Sequence, residues 1–413
     1  MTISFNEFLA TLPDGRHRVD ELKAEYQEHF GTKPEVVASA PGRTEIIGNH
    51  TDHNNGRVVA AAITLDTLVV AGPSSPGESG PDTVMRLISS GWDREFVATP
   101  GTADHDTEKL MLGIREGLLK QDLPAPGYQA FMASSVLPGS GLSSSAALEV
   151  ALAGVHATLS GSEISPLQAA RAGQYAENHF MKKPSGLMDQ YASALGGMQA
   201  IDFADPRAPR VHEIEIDFSE SNHRLMVVNT GGSHADLTDA YGEISREMHA
   251  VAEALGARTL AETDRRKLLA NLTAVRRTIG DRAVLRALHF FEEQDRVLSF
   301  ADAADSRLNH DILELMTESG DSSIRLLQNV HTGSATDQSL ALGIELTRTY
   351  LRQRGAVGAC RVHGGGFAGS MLVAIPEDLV HEYRVAMHRA FGEDSVIPLE
   401  IRRQGLISAK LPV

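Results

Sequence analysis

Residues 41–56 read Pro-Gly-Arg-Thr-Glu-Ile-Ile-Gly-Asn-His-Thr-Asp-His-Asn-Asn-Gly, and this segment constrains the chain more than any other. One arginine, two carboxylates, two imidazoles and three amides stand among three glycines. Such a run is expected in a loop rather than a buried strand, because each polar group would need a partner that an apolar core does not supply. The glycines let the backbone turn and approach a ligand closely, so the side chains can converge on something small and polar. The alternative is a solvated surface loop, and the rest of the chain decides against it.

With 413 residues, the chain is long enough for two closely joined domains. Its formal charge of −16 argues against nucleic acid or an anionic membrane as a main partner, since both select basic surfaces. A nucleotide ligand needs only a local positive field and stays open. The single cysteine, Cys360, excludes an internal disulfide framework and lies in an apolar stretch, as a small core residue would. Neither a signal peptide nor an apolar run of membrane-spanning length is visible, so a cytoplasmic location is expected.

Helical spacing of Phe5, Leu9 and Leu12, then of Val19, Leu22 and Tyr26, predicts one or two amphipathic helices over residues 1–34. Strands are expected at 36–40, 58–63, 67–71, 84–89 and 128–134, with a turn-rich loop over 74–81. Helices follow near 107–121, 143–159 and 166–180, and strands near 197–203, 210–216 and 224–229 close a first domain around position 220. The second half opens on a helical region over 236–354. It ends with strands at 359–362 and 370–375, a helix near 377–391 and a final strand. Strands and helices mixed without regular alternation predict an α+β fold, with domains at 1–220 and 221–413.

Residues 137–147 (Leu-Pro-Gly-Ser-Gly-Leu-Ser-Ser-Ser-Ala-Ala) follow a strand and open a helix. Gly139, Ser140, Gly141, Leu142, Ser143, Ser144 and Ser145 would present backbone N–H groups and hydroxyls where the helix dipole favours an anion such as phosphate. No lysine follows the glycines, so this is not a Walker A loop. A divalent metal held by a hydroxyl and a carboxylate would supply the missing positive charge, with Mg²⁺ suited to phosphate chemistry. Two further loops stand out. Gly186-Leu187-Met188-Asp189-Gln190 places an acid at the start of a helix, after the turn 182–185. Arg361-Val362-His363-Gly364-Gly365-Gly366-Phe367-Ala368-Gly369 joins two strands through a glycine-rich loop at 364–369.

In this order and spacing the loops resemble the GHMP kinase family (galacto-, homoserine, mevalonate and phosphomevalonate kinases), and within it the galactokinase pattern, over nearly the whole chain. Residues 42–56 follow the sugar signature with departures. The resemblance implies a two-domain fold, with a ribosomal protein S5 domain 2-like N-terminal domain and a ferredoxin-like α+β C-terminal domain. It implies ATP with Mg²⁺ as cofactors, a small-molecule sugar as partner, a monomer or homodimer, and phosphorylation of an anomeric hydroxyl. Carried over by residue, Asp189 is similar to the catalytic aspartate and Arg43 to the arginine beside it. Ser145 and Glu177 resemble the metal ligands. Asn49, His50, Asp52, Asp189 and Tyr241 stand at sugar-contacting positions.

Galactokinases usually carry Asn where this chain has Glu45 and Glu where it has Asn49, so acid and amide have changed places. His53 stands where Tyr is usual, and His363 where Thr or Ser precedes the glycines. The expected substrate is D-galactose. The alternative is a galacturonokinase-like enzyme, since a Glu about 4 Å from a C6 carboxylate would cost roughly 4 kcal/mol at an effective dielectric of about 20, and Asn49 removes that charge. A sugar- and ATP-binding regulatory protein is the reading from another class. Arg43, Ser145, Glu177 and Asp189 together favour an enzyme.

Overall fold

The structure, a computed structural model, describes residues 2–75, 83–92, 94–183, 185–231, 238–331, 333–367 and 369–412. The turn-rich loop expected over 74–81 lies outside these residues from position 76, as do Pro184 and Ala368. Helices α1 (Phe5–Thr11) and α2 (Gly15–Phe30) realise the amphipathic pattern, burying Phe8, Val19, Leu22 and Tyr26. Next come β1 (Val36–Ile47), β2 (Arg57–Pro73), β3 (Met85–Ser89) and β4 (Glu95–Ala98), the last a four-residue strand without a sequence signal. The first half continues through α3 (Asp106–Leu119), β5 (Tyr128–Ser134), α4 (Ser144–Ser160), α5 (Pro166–Tyr175), α6 (Met188–Leu195), β6 (Met198–Asp202) and β7 (Arg210–Ile214).

The remainder begins with β8 (His223–Asn229), α7 (Thr238–Ala254), α8 (Arg265–Ala270), α9 (Leu272–Thr278), α10 (Asp281–Asp305), α11 (Asn309–Ser322) and α12 (Ser339–Arg354). It closes with β9 (Ala359–Val362), β10 (Ser370–Pro376), α13 (Val380–Phe391), β11 (Val396–Pro398) and β12 (Ile407–Lys410). The mixed α+β architecture expected from the sequence is the one observed.

Among the described residues, one sheet has eight strands in the order β12-β1-β2-β5-β3-β4, with β6 and β7 branching from β2. A four-stranded sheet has the order β11-β8-β10-β9. β12 pairs antiparallel with β1, so the end of the chain returns to the first sheet. β2 is continuous across the two strands expected at 58–63 and 67–71. It changes partner along its length: Arg57–Ala61 faces β6 and Thr67–Pro73 faces β5. A switch of partner reads in the sequence like a break.

The expectation of a loop over the opening motif is corrected by the structure. Pro41–Ile47 belongs to β1, and every residue of that strand is buried. The strand survives burial because partners for its polar side chains come from both halves of the chain. Beside it, Ile46, Ile47, Val59 and Ile63 of the first sheet share a core with Leu225, Val227 and Leu372 of the second and with Phe300 of α10. Burying apolar area there stabilises at roughly 25 cal/mol per Å² and holds the two sheets together.

Phe300 is fully buried in this shared core. Phe300→Ala is expected to lower the free energy of unfolding by about 3–5 kcal/mol in urea titrations. A loss below about 1 kcal/mol would contradict a core common to both sheets.

Candidate active site

β1 brings Arg43 to the centre of a cleft of about 230 Å³, lined by the phosphate loop, Lys183, Asp189, Tyr241 and Gly364–Gly366. The backbone N–H of Arg43 donates to Leu142 O at 3.1 Å, docking the strand on the phosphate loop. Its guanidinium Nε and Nη2 donate to the two oxygens of Asp189, each at 2.8 Å, and Nη1 donates to Gly141 O. This fork-on-fork geometry fixes both side chains in one orientation. Asp189 lies in the first turn of α6 with its side chain one-third exposed (33%), so it faces the cleft rather than the core. Burial pushes its carboxyl up, but Arg43, the Ser143 hydroxyl and Lys183 outweigh this and hold it below the usual aspartate value.

Ser143 takes a left-handed conformation (φ +59°) and gives α4 no side-chain cap; its hydroxyl donates to Asp189 Oδ2 instead. The first-turn amides of α4 are therefore left for an anion. Ser144 and Ser145 line the cleft with Gly139 and Gly141. Two loop residues serve the fold instead. The Ser140 hydroxyl donates to Leu137 O at 2.6 Å, and Leu142 is fully buried in the shared core. The expected part of Ser140 and Leu142 in nucleotide binding is corrected accordingly: their side chains serve the fold, and their N–H groups donate to Leu137 O (3.3 Å) and Ser140 Oγ (3.4 Å).

Glu177 sits on a π-helical turn (Ala176–Phe180) that continues α5. Such turns recur at functional sites because they reorient one side chain within a helix. Its Oε1 accepts from Lys183 Nζ at 2.6 Å and its Oε2 from Gln190 Nε2 at 3.2 Å. Gln190 Nε2 also donates to Oε2 of the fully buried Glu149 at 2.9 Å. Burial, then the neighbouring Glu177, raises the Glu149 carboxyl well above the ordinary value, and its Oε1 has no hydrogen-bond partner. Among the described residues no group of three or more His, Cys, Asp or Glu could hold a metal. Of the two residues expected to hold magnesium, Ser145 lines the cleft and Glu177 has its oxygens on Lys183 and Gln190; magnesium needs only one or two protein oxygens, with phosphates and water completing its shell.

The sugar-motif residues divide. His50 is half-buried at φ +56°, with Nε2 3.0 Å from Gly365 O, and burial brings its pKa down to about 4. Asp52 accepts from Met188 N at 3.3 Å, at the start of α6, and a Cβ on Gly186 would lie 1.7 Å from its carboxylate, so only glycine fits there. Burial, then the neighbouring Asp189, pushes Asp52 up to about 6. The Tyr241 hydroxyl donates to Gly366 O at 3.2 Å, and its ring lies 2.3 Å from where a Gly365 Cβ would stand.

Asn49 is fully buried, and its expected sugar contact is corrected by its bonds. Nδ2 donates to Glu45 Oε1 (3.0 Å), Glu45 Oε2 (3.2 Å) and Gly364 O (2.7 Å), and Oδ1 accepts from Asn329 (2.7 Å). The two exchanged residues thus bind each other. Burial raises the Glu45 carboxyl against the pull of Arg361, whose Nη2 donates to Glu45 Oε1 at 2.6 Å from β9. His363 fills the space where Thr or Ser was expected: its Nε2 is 2.9 Å from Thr44 Oγ1 and accepts from Glu45 N at 3.3 Å. Lys183, Gln190, Glu149 and Arg361 had no assigned role in the sequence reading. Gln190, next to Asp189, and Arg361, ahead of the glycine-rich loop, lay inside motifs already quoted, but without a role.

Both Glu45 and Arg361 are buried. Arg361→Met is expected to cost about 3–5 kcal/mol by stranding the Glu45 charge, and adding Glu45→Gln should recover more than half in denaturant titrations. No recovery would contradict the pairing. Folded Asp52 titrates near 6 against an ordinary 3.8, so the native state holds the extra proton between these values and its stability falls as pH rises through that window. Asp52→Asn should flatten this slope in thermal melts between about pH 4 and pH 6; an unchanged slope would count against the raised carboxyl.

Residues 24–73 match the model for the galactokinase galactose-binding signature, and residues 110–197 match that for the GHMP kinases N terminal domain. A Streptomyces coelicolor galactokinase is 31% identical over 375 residues, covering 89% of this chain and 91% of the relative. Human galactokinase is 30% identical over 365 residues, covering 85% and 88%. The structure of Lactococcus lactis galactokinase complexed with galactose superposes with a TM-score of 0.80 at 23% identity, covering 95% of this chain and 100% of that one, which shows a common fold. Set beside the cleft of Arg43, Asp189 and the phosphate loop, these likenesses show that the chain belongs to the galactokinase family of GHMP kinases, phosphotransferases that use ATP with magnesium.

Proposed function

We propose that the chain transfers the terminal phosphoryl group of ATP to the anomeric hydroxyl of D-galactose, giving galactose 1-phosphate and ADP. The observation that carries this reading is the two-pronged Arg43–Asp189 pair, at 2.8 Å for each bond, in a cleft bordered by the phosphate loop. An ionised Asp189 accepts the hydroxyl proton as the oxygen attacks, and Arg43 keeps it ionised and aimed. The amides at the start of α4 and the hydroxyls of Ser144 and Ser145 bind phosphate oxygens. Ser145 and Glu177 would hold magnesium, which would supply positive charge to offset that of the phosphates. His50 and Asp52 position the sugar beside Asp189, with Tyr241 closing that side.

In this reading the domains divide at 1–220 and 221–413, with β12 returned to the first sheet, and the substrates meet along the seam. A cytoplasmic setting, where ATP is available, accords with a lone buried thiol and with no described helix long and apolar enough to cross a membrane.

ADP release is the test, with D-galactose and D-galacturonate offered separately. Turnover on galactose is expected, and its absence would overturn the substrate. Asp189→Asn should cut turnover by about 100-fold or more while the fold persists by circular dichroism; near-normal turnover would overturn the catalytic role.

A further inference from the structure

The phosphate loop carries no lysine after its glycines, so positive charge for the transferred phosphoryl group must come from other elements. Among the described residues, two side chains with permanent positive charge line the cleft, Arg43 and Lys183. Arg43 is nearly spent: Nε and Nη2 are on Asp189, Nη1 is on Gly141 O, and its side chain is 5% exposed. Lys183 is in the opposite condition. Its side chain is 55% exposed, and among the described residues its ammonium makes one hydrogen bond, 2.6 Å to Glu177 Oε1. An ammonium has three donors, so two remain for a ligand.

The position of Lys183 is built by the backbone. Its N–H donates to Glu177 O at 3.0 Å, and Ser185 N donates to Asn178 Oδ1 at 2.8 Å. Lys182 takes a left-handed turn at φ +56°. These constraints fold residues 181–183 back over Glu177 and hold Lys183 at the rim shared by the phosphate loop and Asp189. Neither backbone bond depends on the lysine side chain, so replacing that side chain leaves the turn in place.

We propose that Lys183 is a phosphate-binding residue that contacts the terminal phosphate of ATP, taking the place of the lysine that the phosphate loop lacks. The ammonium rests on Glu177 without nucleotide and moves to the terminal phosphate when ATP is bound, which frees Glu177 Oε1. This rests on the kinase reading above, yet its test does not require sugar turnover.

The test is isothermal calorimetry with magnesium and either ADP or the non-hydrolysable β,γ-imido analogue of ATP, on the wild-type chain, Lys183→Gln and Lys183→Arg. A charge-assisted bond to the terminal phosphate predicts about 10- to 100-fold weaker binding of the analogue by Lys183→Gln, with ADP affinity held within about threefold. Lys183→Arg should recover part of the loss, and kcat should fall in Lys183→Gln with the KM for sugar unchanged. Equal losses for both nucleotides, no loss for either, or a change confined to the magnesium concentration required would each overturn the proposal. A wild-type chain that binds nucleotide but phosphorylates no galactose would instead overturn the substrate reading.

Discussion

A buried strand that carries charge must find its counter-charges, and much of this molecule is arranged around that requirement in β1. Arg43, Thr44 and Glu45 are consecutive and buried, and each is matched by a residue far along the chain: Asp189, His363 and Arg361. Asp189 comes from α6 and the other two from β9 and the loop after it, so the partners tie both sheets to one strand. Removing one partner would leave an unpaired charge or polar group in the core, at a cost of several kcal/mol. The same bonds that make the strand tolerable therefore aim Asp189 at the cleft. Stability and catalytic geometry share their residues here.

The exchange of acid and amide between positions 45 and 49 takes a definite form in this setting. Asn49 donates to both oxygens of Glu45, so the pair remains in contact while the negative charge lies on Arg361. Asn49 has its polar atoms committed to protein partners, while Arg43 of the same motif holds Asp189 and Asp52 accepts from the neighbouring Met188 N. The departure from the family pattern is thus a rearrangement of buried electrostatics before it is a change at the sugar-facing surface.

The glycine-rich loops, the helix after the phosphate loop and the strands at 128–134 and 359–362 were legible in the sequence, because their local patterns coincide with their structural roles. The burial of β1 was not. Polarity marks a segment as one that needs partners, but it does not say whether water or distant residues supply them. Lys183 escaped notice for a related reason: a lysine in a polar turn reads as solvated surface until the backbone bonds to Glu177 and Asn178 place it over the site. Ser140, set between two glycines, read as a ligand contact, whereas its hydroxyl closes the turn on Leu137 O.

The cleft combines an anion-binding helix start, a pre-aimed carboxylate and a neutral histidine at the sugar motif, and that combination is suited to moving a phosphoryl group onto a neutral sugar hydroxyl. The position of the new phosphate on the sugar tests this account most directly. Phosphorus-31 nuclear magnetic resonance of the product from ATP and D-galactose should show a phosphate coupled to the anomeric proton. A phosphate coupled instead to the C6 protons would contradict the account.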